Sequence, residues 1–303
     1  MVIGRPGQAD RGEKGKRMIR PSAVLPIATV LLAGFASVAP AQDYRTTSGS
    51  RQRRGETELR ANIEFAVGEL RIAPGAAGTL YRYDLMYDAE HFDPIASYNP
   101  ETHRLRVGVD GRGHGDIRYR EREWKQRLDL ALSPATPLAL NLTFGAGTAD
   151  VELGDLSLTA VEIKGGASET TIRVSQPNRV TCRTFTMEVG AIDLTTEKLG
   201  NARCERITLK GAAGSVVLDL TGDWAEGTTS QVDIAVGLGS VTLRLPESVG
   251  VEADVERFLV NFDRSGLLRR GANYYSANWD TAKTKLRINV QAALGDIDVE
   301  WVK

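Results

Sequence analysis

From Leu59 onward, apolar and polar residues alternate with a period of two: Leu59, Ala61, Ile63 and Phe65, then Leu70 and Ile72, then Tyr83, Leu85 and Tyr87. The pattern returns at Leu105, Val107 and Val109 and again at Leu128, Leu130 and Leu132. Successive side chains of a strand point to opposite faces, so this alternation predicts half-buried β-strands. The breaks fall on turn chemistry: Ala73-Pro74-Gly75, Asp93-Pro94, Asn99-Pro100, Asp110-Gly111 and Ser133-Pro134. No long segment of helical period occurs in residues 58–135, which read as an N-terminal antiparallel β module.

Residues 136–303 contain a repeat. Gly145-Ala146-Gly147 precedes Val151 and Leu153, Gly165-Gly166 precedes Ile172 and Val174, and Val189-Gly190 precedes Ile192 and Leu194. Gly211-Ala212-Ala213-Gly214 and Gly237-Leu238-Gly239 each open a similar alternating run. Upstream of each Gly corner a second ladder aligns Leu140, Val161, Phe185, Ile207 and Val232, and a third aligns Leu142, Ile163, Met187, Leu209 and Ile234. An interval of roughly 20–25 residues is the mark of a stacked solenoid, whose units cannot bury an apolar side alone. We therefore expect a right-handed β-solenoid of about five to six coils stacked about 4.8 Å apart. Gly147, Gly166, Gly190, Gly214, Gly239 and Gly295 are expected at its corners, where positive φ and close backbone stacking favour glycine. Cys182 and Cys204 occupy equivalent places in consecutive coils; a disulfide and a buried reduced pair are both open, and either is structural. The tail from Asn273 to Lys303, with Leu286, Ile288 and Val290 and an Ala293-Leu294-Gly295-Asp296-Ile297 run that repeats the corner signature, is expected to seal the end of the stack.

The first residues read differently. Arg5, Arg11, Lys14, Lys16, Arg17 and Arg20 precede an uncharged run from Ala23 to Ala39, and Ala39-Pro40-Ala41 offers the small side chains a signal peptidase accepts. Residues 1–41 are expected to be an export signal, with an uncleaved anchor at 23–39 as the alternative and Met18 as an alternative start. Removing them leaves 32 Lys and Arg against 37 Asp and Glu. Residues 42–57, with Arg45, Arg51, Arg53 and Arg54 and little that is apolar, are expected to be a flexible linker. The chain is thus expected to be exported, periplasmic or otherwise extracytoplasmic.

Composition then excludes much. A formal charge of -1 offers no basic field for nucleic acid. The histidines, His91, His103 and His114, lack any zinc-site spacing, and the Asp110 to Asp116 loop lacks the acidic alternation of a calcium loop. No Gly-x-Ser-x-Gly elbow occurs, and the Gly-x-Gly groups lead into strands rather than helices, against a nucleotide fingerprint. Asp150, Asp193 and Asp219 follow the corners and could line a sugar cleft, although alternation alone places polar residues there. Trp224, Trp279 and Trp301 could stack on sugars or cover coil ends. No catalytic residue, metal ligand or cofactor is assigned.

Several segments together resemble the toastrack, or LiaF-like, cell wall-active antibiotic response proteins. They are Val67-Gly68-Glu69-Leu70-Arg71-Ile72, the segment from Arg122-Glu123-Trp124 to Leu132, the Gly-x-Gly corners, Val236 to Pro246, and Ala293 to Ile297. The resemblance covers roughly residues 60–303. It implies an N-terminal β module followed by a β-solenoid, held outside the cytoplasmic membrane and associated with envelope-stress sensing. The chain departs from that family's membrane-spanning members in having only one signal-like segment, and Glu256 to Asn261 stand where another Gly corner would fall. The reading is an exported, non-enzymatic interaction module whose partner is another envelope protein or a cell-wall component. A polysaccharide-binding or polysaccharide-cleaving β-helix and an adhesive structural protein are the alternatives.

Overall fold

The computed structural model describes residues 43–112 and 125–303. The signal-like segment, His114, Trp124 and most of the Asp110 to Asp116 loop lie outside them. The described chain is almost entirely β, and its strands join in one sheet. The backbone of this sheet is a stack of long parallel strands. These are β2 (Leu59–Pro74), β7 (Pro137–Glu152), β8 (Ser157–Arg173), β9 (Cys182–Glu197), β10 (Cys204–Asp219), β11 (Thr229–Pro246), β15 (Lys285–Val302) and β12 (Gly250–Phe262). The expected all-β class and stacked repeat are present.

Each long strand is two limbs joined at a corner. In β11, Val232, Ile234 and Val236 are buried before the corner and Val241, Leu243 and Leu245 after it, so the buried parity changes from even to odd. Unbroken alternation would send one limb's apolar set to solvent; slipping the phase by one residue keeps both limbs on the same core. β2 shows the same slip, from Ala61, Ile63 and Phe65 to Leu70 and Ile72. Across the stack the expected ladder is the observed register: Leu140 pairs with Val161, Val161 with Phe185, Phe185 with Ile207 and Ile207 with Val232. Phe65 and Phe144 stack with ring centroids 6.2 Å apart at the start of this core.

Three expectations are corrected. Residues 44–52, read as part of a flexible linker, form β1 (Tyr44–Gln52), paired antiparallel along its length with β3 (Thr79–Asp88). Backbone bonding holds it, with little apolar burial to announce it: none of its side chains is fully buried. Next, no boundary separates residues 58–135 from the stack. β2 is itself the first rung, parallel to β7 over Leu59 to Ile72. Its other edge is shared, with β5 (Arg104–Gly111) pairing Arg60 to Glu64 and β6 (Arg127–Leu132) pairing Glu69 to Pro74. β4 (Phe92–Asn99) joins by pairing with β5.

Finally, of the tail expected to seal the stack, the long strand from Lys285 does not stand at its end. β15 lies between β11 and β12, parallel to both and in register from Lys285 onward. The end is closed instead by β13 (Leu267–Arg270) and β14 (Asn273–Ser276), the latter pairing with Glu252 and Ala253 of β12. β12 holds its register with β15 from Gly250 to Phe262, although Glu256 to Asn261 stand where a Gly corner would fall.

Candidate functional site

The corner is built from two glycine-rich columns, and the six expected glycines divide between them. One column holds Gly68, Gly147, Ser168, Ile192, Gly214, Gly239, Gly295 and Val260. Here Gly147, Gly214, Gly239 and Gly295 have φ of 117°, 136°, 140° and 132°. A Cβ on Gly214 would stand 1.9 Å from the carbonyl oxygen of Ile192, and one on Gly239 would stand 1.9 Å from that of Gly214. Gly166 and Gly190 belong to the other column, two residues earlier, and neither has positive φ. Their constraint is space alone: a Cβ on Gly166 would meet the Gly145 carbonyl oxygen at 2.2 Å, and one on Gly190 would meet that of Gly166 at 3.1 Å. All six stand at the corner, four with positive φ and two held by space alone.

Cys182 and Cys204 are paired in register on β9 and β10, fully buried, with Cα atoms 4.3 Å apart and their sulfurs joined. The bridge closes the start of two rungs. It lies in the core and away from any surface chemistry.

The turn side of the stack is held by two asparagines that no sequence pattern singled out. Asn178 donates to the carbonyl oxygens of Leu158, Val180 and Ala202 at 2.8, 2.9 and 3.1 Å and accepts from the Leu158 N–H at 3.0 Å. Asn201 donates to Val174 O and accepts from Asp223 N–H, both at 2.7 Å. These amides replace the backbone partners that turning chain loses. An Asn seen at matched places in consecutive repeats was the available signal.

Outside the corner, polar residues form columns across the rungs. Glu152, Arg173, Glu197, Asp219, Arg244 and Glu300 share one, with Arg244 bonded to Glu300 at 2.9 Å. In another, Glu188 pairs with Lys210 at 3.3 Å and Lys164 at 3.9 Å. Such exposed pairs stabilise little individually, so their alternation mainly disfavours slipped registers. At the β12 end, burial pushes the Glu252 carboxyl up, but bonds from Asn273 and Tyr275 and the Arg287 guanidinium outweigh it and hold the group below its ordinary value. Open grooves of about 360 Å³, lined partly by Arg71, Arg127, Asp150 and Arg173, and of about 460 Å³, lined partly by Asp233, Asp254 and Glu256, run between such columns.

The structure does not gather the residues considered for chemistry. Asp150 is beside Thr171 and bonded to Arg173, Asp193 is exposed beside Glu169, and Asp219 is nearly buried, accepting the Thr221 N–H at 2.8 Å. They stand in three different columns. Trp224 donates to Leu220 O at 2.8 Å and Trp301 to Ser265 O at 2.9 Å, while Trp279 packs on Tyr275 and Lys285. His103 occupies a turn with positive φ. His91 is drawn to Asp88, whose Oδ2 lies 2.9 Å from its Nδ1, and Glu90 completes a ligand-type cluster in that turn. The Glu90 N–H takes the other Asp88 oxygen at 3.0 Å, so the cluster serves to close the turn.

A single sheet of glycine-cornered rungs, with polar columns outside and a continuous apolar core inside, defines a rack-like β scaffold. The chain belongs to the toast-rack, LiaF-like family. The profile described as the N-terminal domain of toast_rack matches residues 40–194, and that of the cell wall-active antibiotics response LiaF C-terminal domain matches residues 194–299. No curated protein matches the chain in sequence. Among solved structures, a candidate cell adhesion protein from Clostridium sporogenes is 16% identical with a TM-score of 0.44, covering 86% of this chain and 100% of its own. A candidate adhesin from Bacteroides fragilis is 10% identical with a TM-score of 0.40, covering 85% of this chain and 98% of its own. Among the described residues no helix is long and apolar enough to cross a membrane.

Proposed function

We propose that this protein is exported to the cell envelope and acts there as a non-enzymatic interaction or sensing module in an envelope-stress response. The observation that carries the reading is the pair of family matches, which together run from residue 40 to residue 299 and end in a domain named for the response to cell wall-active antibiotics. The scatter of Asp150, Asp193 and Asp219 over three columns supports a scaffold over a hydrolase, because glycoside cleavage needs two carboxyl groups facing one bond. Export rests on the basic flank, apolar run and Ala39-Pro40-Ala41 site. The partner is another envelope protein or a cell-wall component, met by the exposed polar columns.

The test is photo-crosslinking of the protein in its native envelope, with and without a cell wall-active antibiotic, followed by mass spectrometry. A discrete protein adduct whose yield changes with the antibiotic is the expected result. Sugar adducts alone would instead favour a polysaccharide-binding role, and no adduct a structural one.

A further inference from the structure

The corner carries an apolar line that leaves the core as it crosses the stack. From Val67, buried in the core, it runs to Ala146, which packs on that core, and then to Ala167, Ala191, Ala213, Leu238, Leu294 and Leu259. Side-chain size steps up between β10 and β11, and the three leucines are 54%, 44% and 63% exposed. Their neighbours along the chain include Gly237, Gly239 and Gly295, which have no side chains to cover them. On the alanine half the surface is a shallow, open hollow of about 450 Å³, lined by Gly147, Ala167, Ala191, Ala213 and Gly214 and also by Glu169 and Asp193. A ridge and a hollow therefore lie on one straight line. The ridge centre at Leu294 and the Ala167 rung of the hollow are four rungs apart, or about 19 Å at the usual strand spacing.

We propose that two copies of the chain pair through this corner, antiparallel, each laying its leucines into the other's alanine hollow. A two-fold axis at Ala213 sets Leu238 against Ala191, Leu294 against Ala167 and Leu259 against Ala146. Both contacts then form at once, and the pair closes as an isologous dimer. A parallel pairing would set leucine on leucine and leave both hollows empty. The column on one flank places Lys164 opposite Gln291 and next to Glu256 of the other copy. The opposite flank places Glu169 against Asp296, a like-charge pair at an exposed rim that salt screens. Adjacent apolar side chains standing this far out of water are the mark of a contact surface. The occupant with a matching relief on the page is the same corner reversed.

Sedimentation equilibrium of the exported protein, over roughly 1 to 100 μM, reads the assembly directly. The expected result is a rise from monomer to twice the monomer mass, not diminished by added salt. Leu294→Asp and Ala167→Arg should each remain monomeric with an unchanged melting temperature, since both positions are on the surface. Mixing the two variants should restore the dimer, because the mixed pair keeps one native Leu294 to Ala167 contact and gains an Asp to Arg pair at the other. A wild-type protein that stays monomeric throughout, a Leu294→Asp variant that dimerises like wild type, or a mixture that stays monomeric would each overturn the proposal.

Discussion

Gly295 stacks so closely on Gly239 that a Cβ at Gly295 would stand 1.7 Å from the Gly239 carbonyl oxygen. The contact joins the last strand of the chain to one formed some fifty residues earlier, and it exists because β15 lies between β11 and β12. Glycine is needed there for two independent reasons, positive φ and the oxygen of the next rung.

A matched pair of substitutions tests that explanation. Gly239→Ala combines a φ of 140° with the 1.9 Å clash and should cost about 3 kcal/mol or more in urea unfolding. Gly211→Ala, where φ is ordinary and the nearest atom would be a Val189 methyl at 3.4 Å, should fall within about 0.5 kcal/mol of wild type. Equal effects from the two would remove the steric account of the corner.

The bridge between Cys182 and Cys204 closes a loop with a sequence separation of 22. Replacing both cysteines by alanine should lower stability by about 3 kcal/mol through the freed unfolded chain. Alkylation should label neither cysteine in the folded protein, and both only after reduction in denaturant. Labelling without reductant would show that the thiols are free.

Buried turn amides should matter more than exposed ones. Asn178→Ala strands the Leu158 N–H and several carbonyl oxygens and should cost about 2 to 3 kcal/mol. Asn141→Ala removes only an exposed bond to Asn62 and should cost less than about 0.5 kcal/mol. Denaturant midpoints of the two variants decide between them.

The depressed Glu252 carboxyl gives a signed pH dependence. Its folded pKa lies below its unfolded value, so its stabilisation is present above the unfolded pKa and drains away as pH falls through the folded one. Glu252→Gln should cost about 1 to 2 kcal/mol at neutral pH and flatten the acid limb of the stability profile. An unchanged acid limb would mean that Asn273, Tyr275 and Arg287 do not hold the ionised form.

The sequence made the inner ladders legible because burial repeats at the same place in every rung. The intervals from Leu140 through Val161, Phe185 and Ile207 to Val232 are 21, 24, 22 and 25 residues, and the register follows them. Those unequal intervals also blurred the glycines. Gly166 and Gly190 sit two residues before the positive-φ column, whose members on their strands are Ser168 and Ile192. β1 was illegible for a different reason: both its faces are polar or half-exposed, and backbone pairing leaves no hydrophobic trace. The place of β15 was hidden because its corner signature is that of an interior rung, and chain order does not reveal spatial order. Candidate chemistry read from spacing alone failed because residues that follow successive corners, such as Asp193 and Asp219, fall into different columns.

The claim on which the rest depends is that the described strands from β1 to β15 form one sheet, with β2 a rung of the same stack as β11 and β15. Urea unfolding followed in parallel by far-ultraviolet circular dichroism and by tryptophan fluorescence tests it directly. In a Trp124→Phe variant the remaining Trp224, Trp279 and Trp301 report on the C-terminal half, whereas dichroism reports on every strand. One cooperative transition with coincident midpoints is predicted. An earlier dichroism transition with no fluorescence change would mean that the N-terminal strands unfold as a separate domain, and would contradict the continuous sheet.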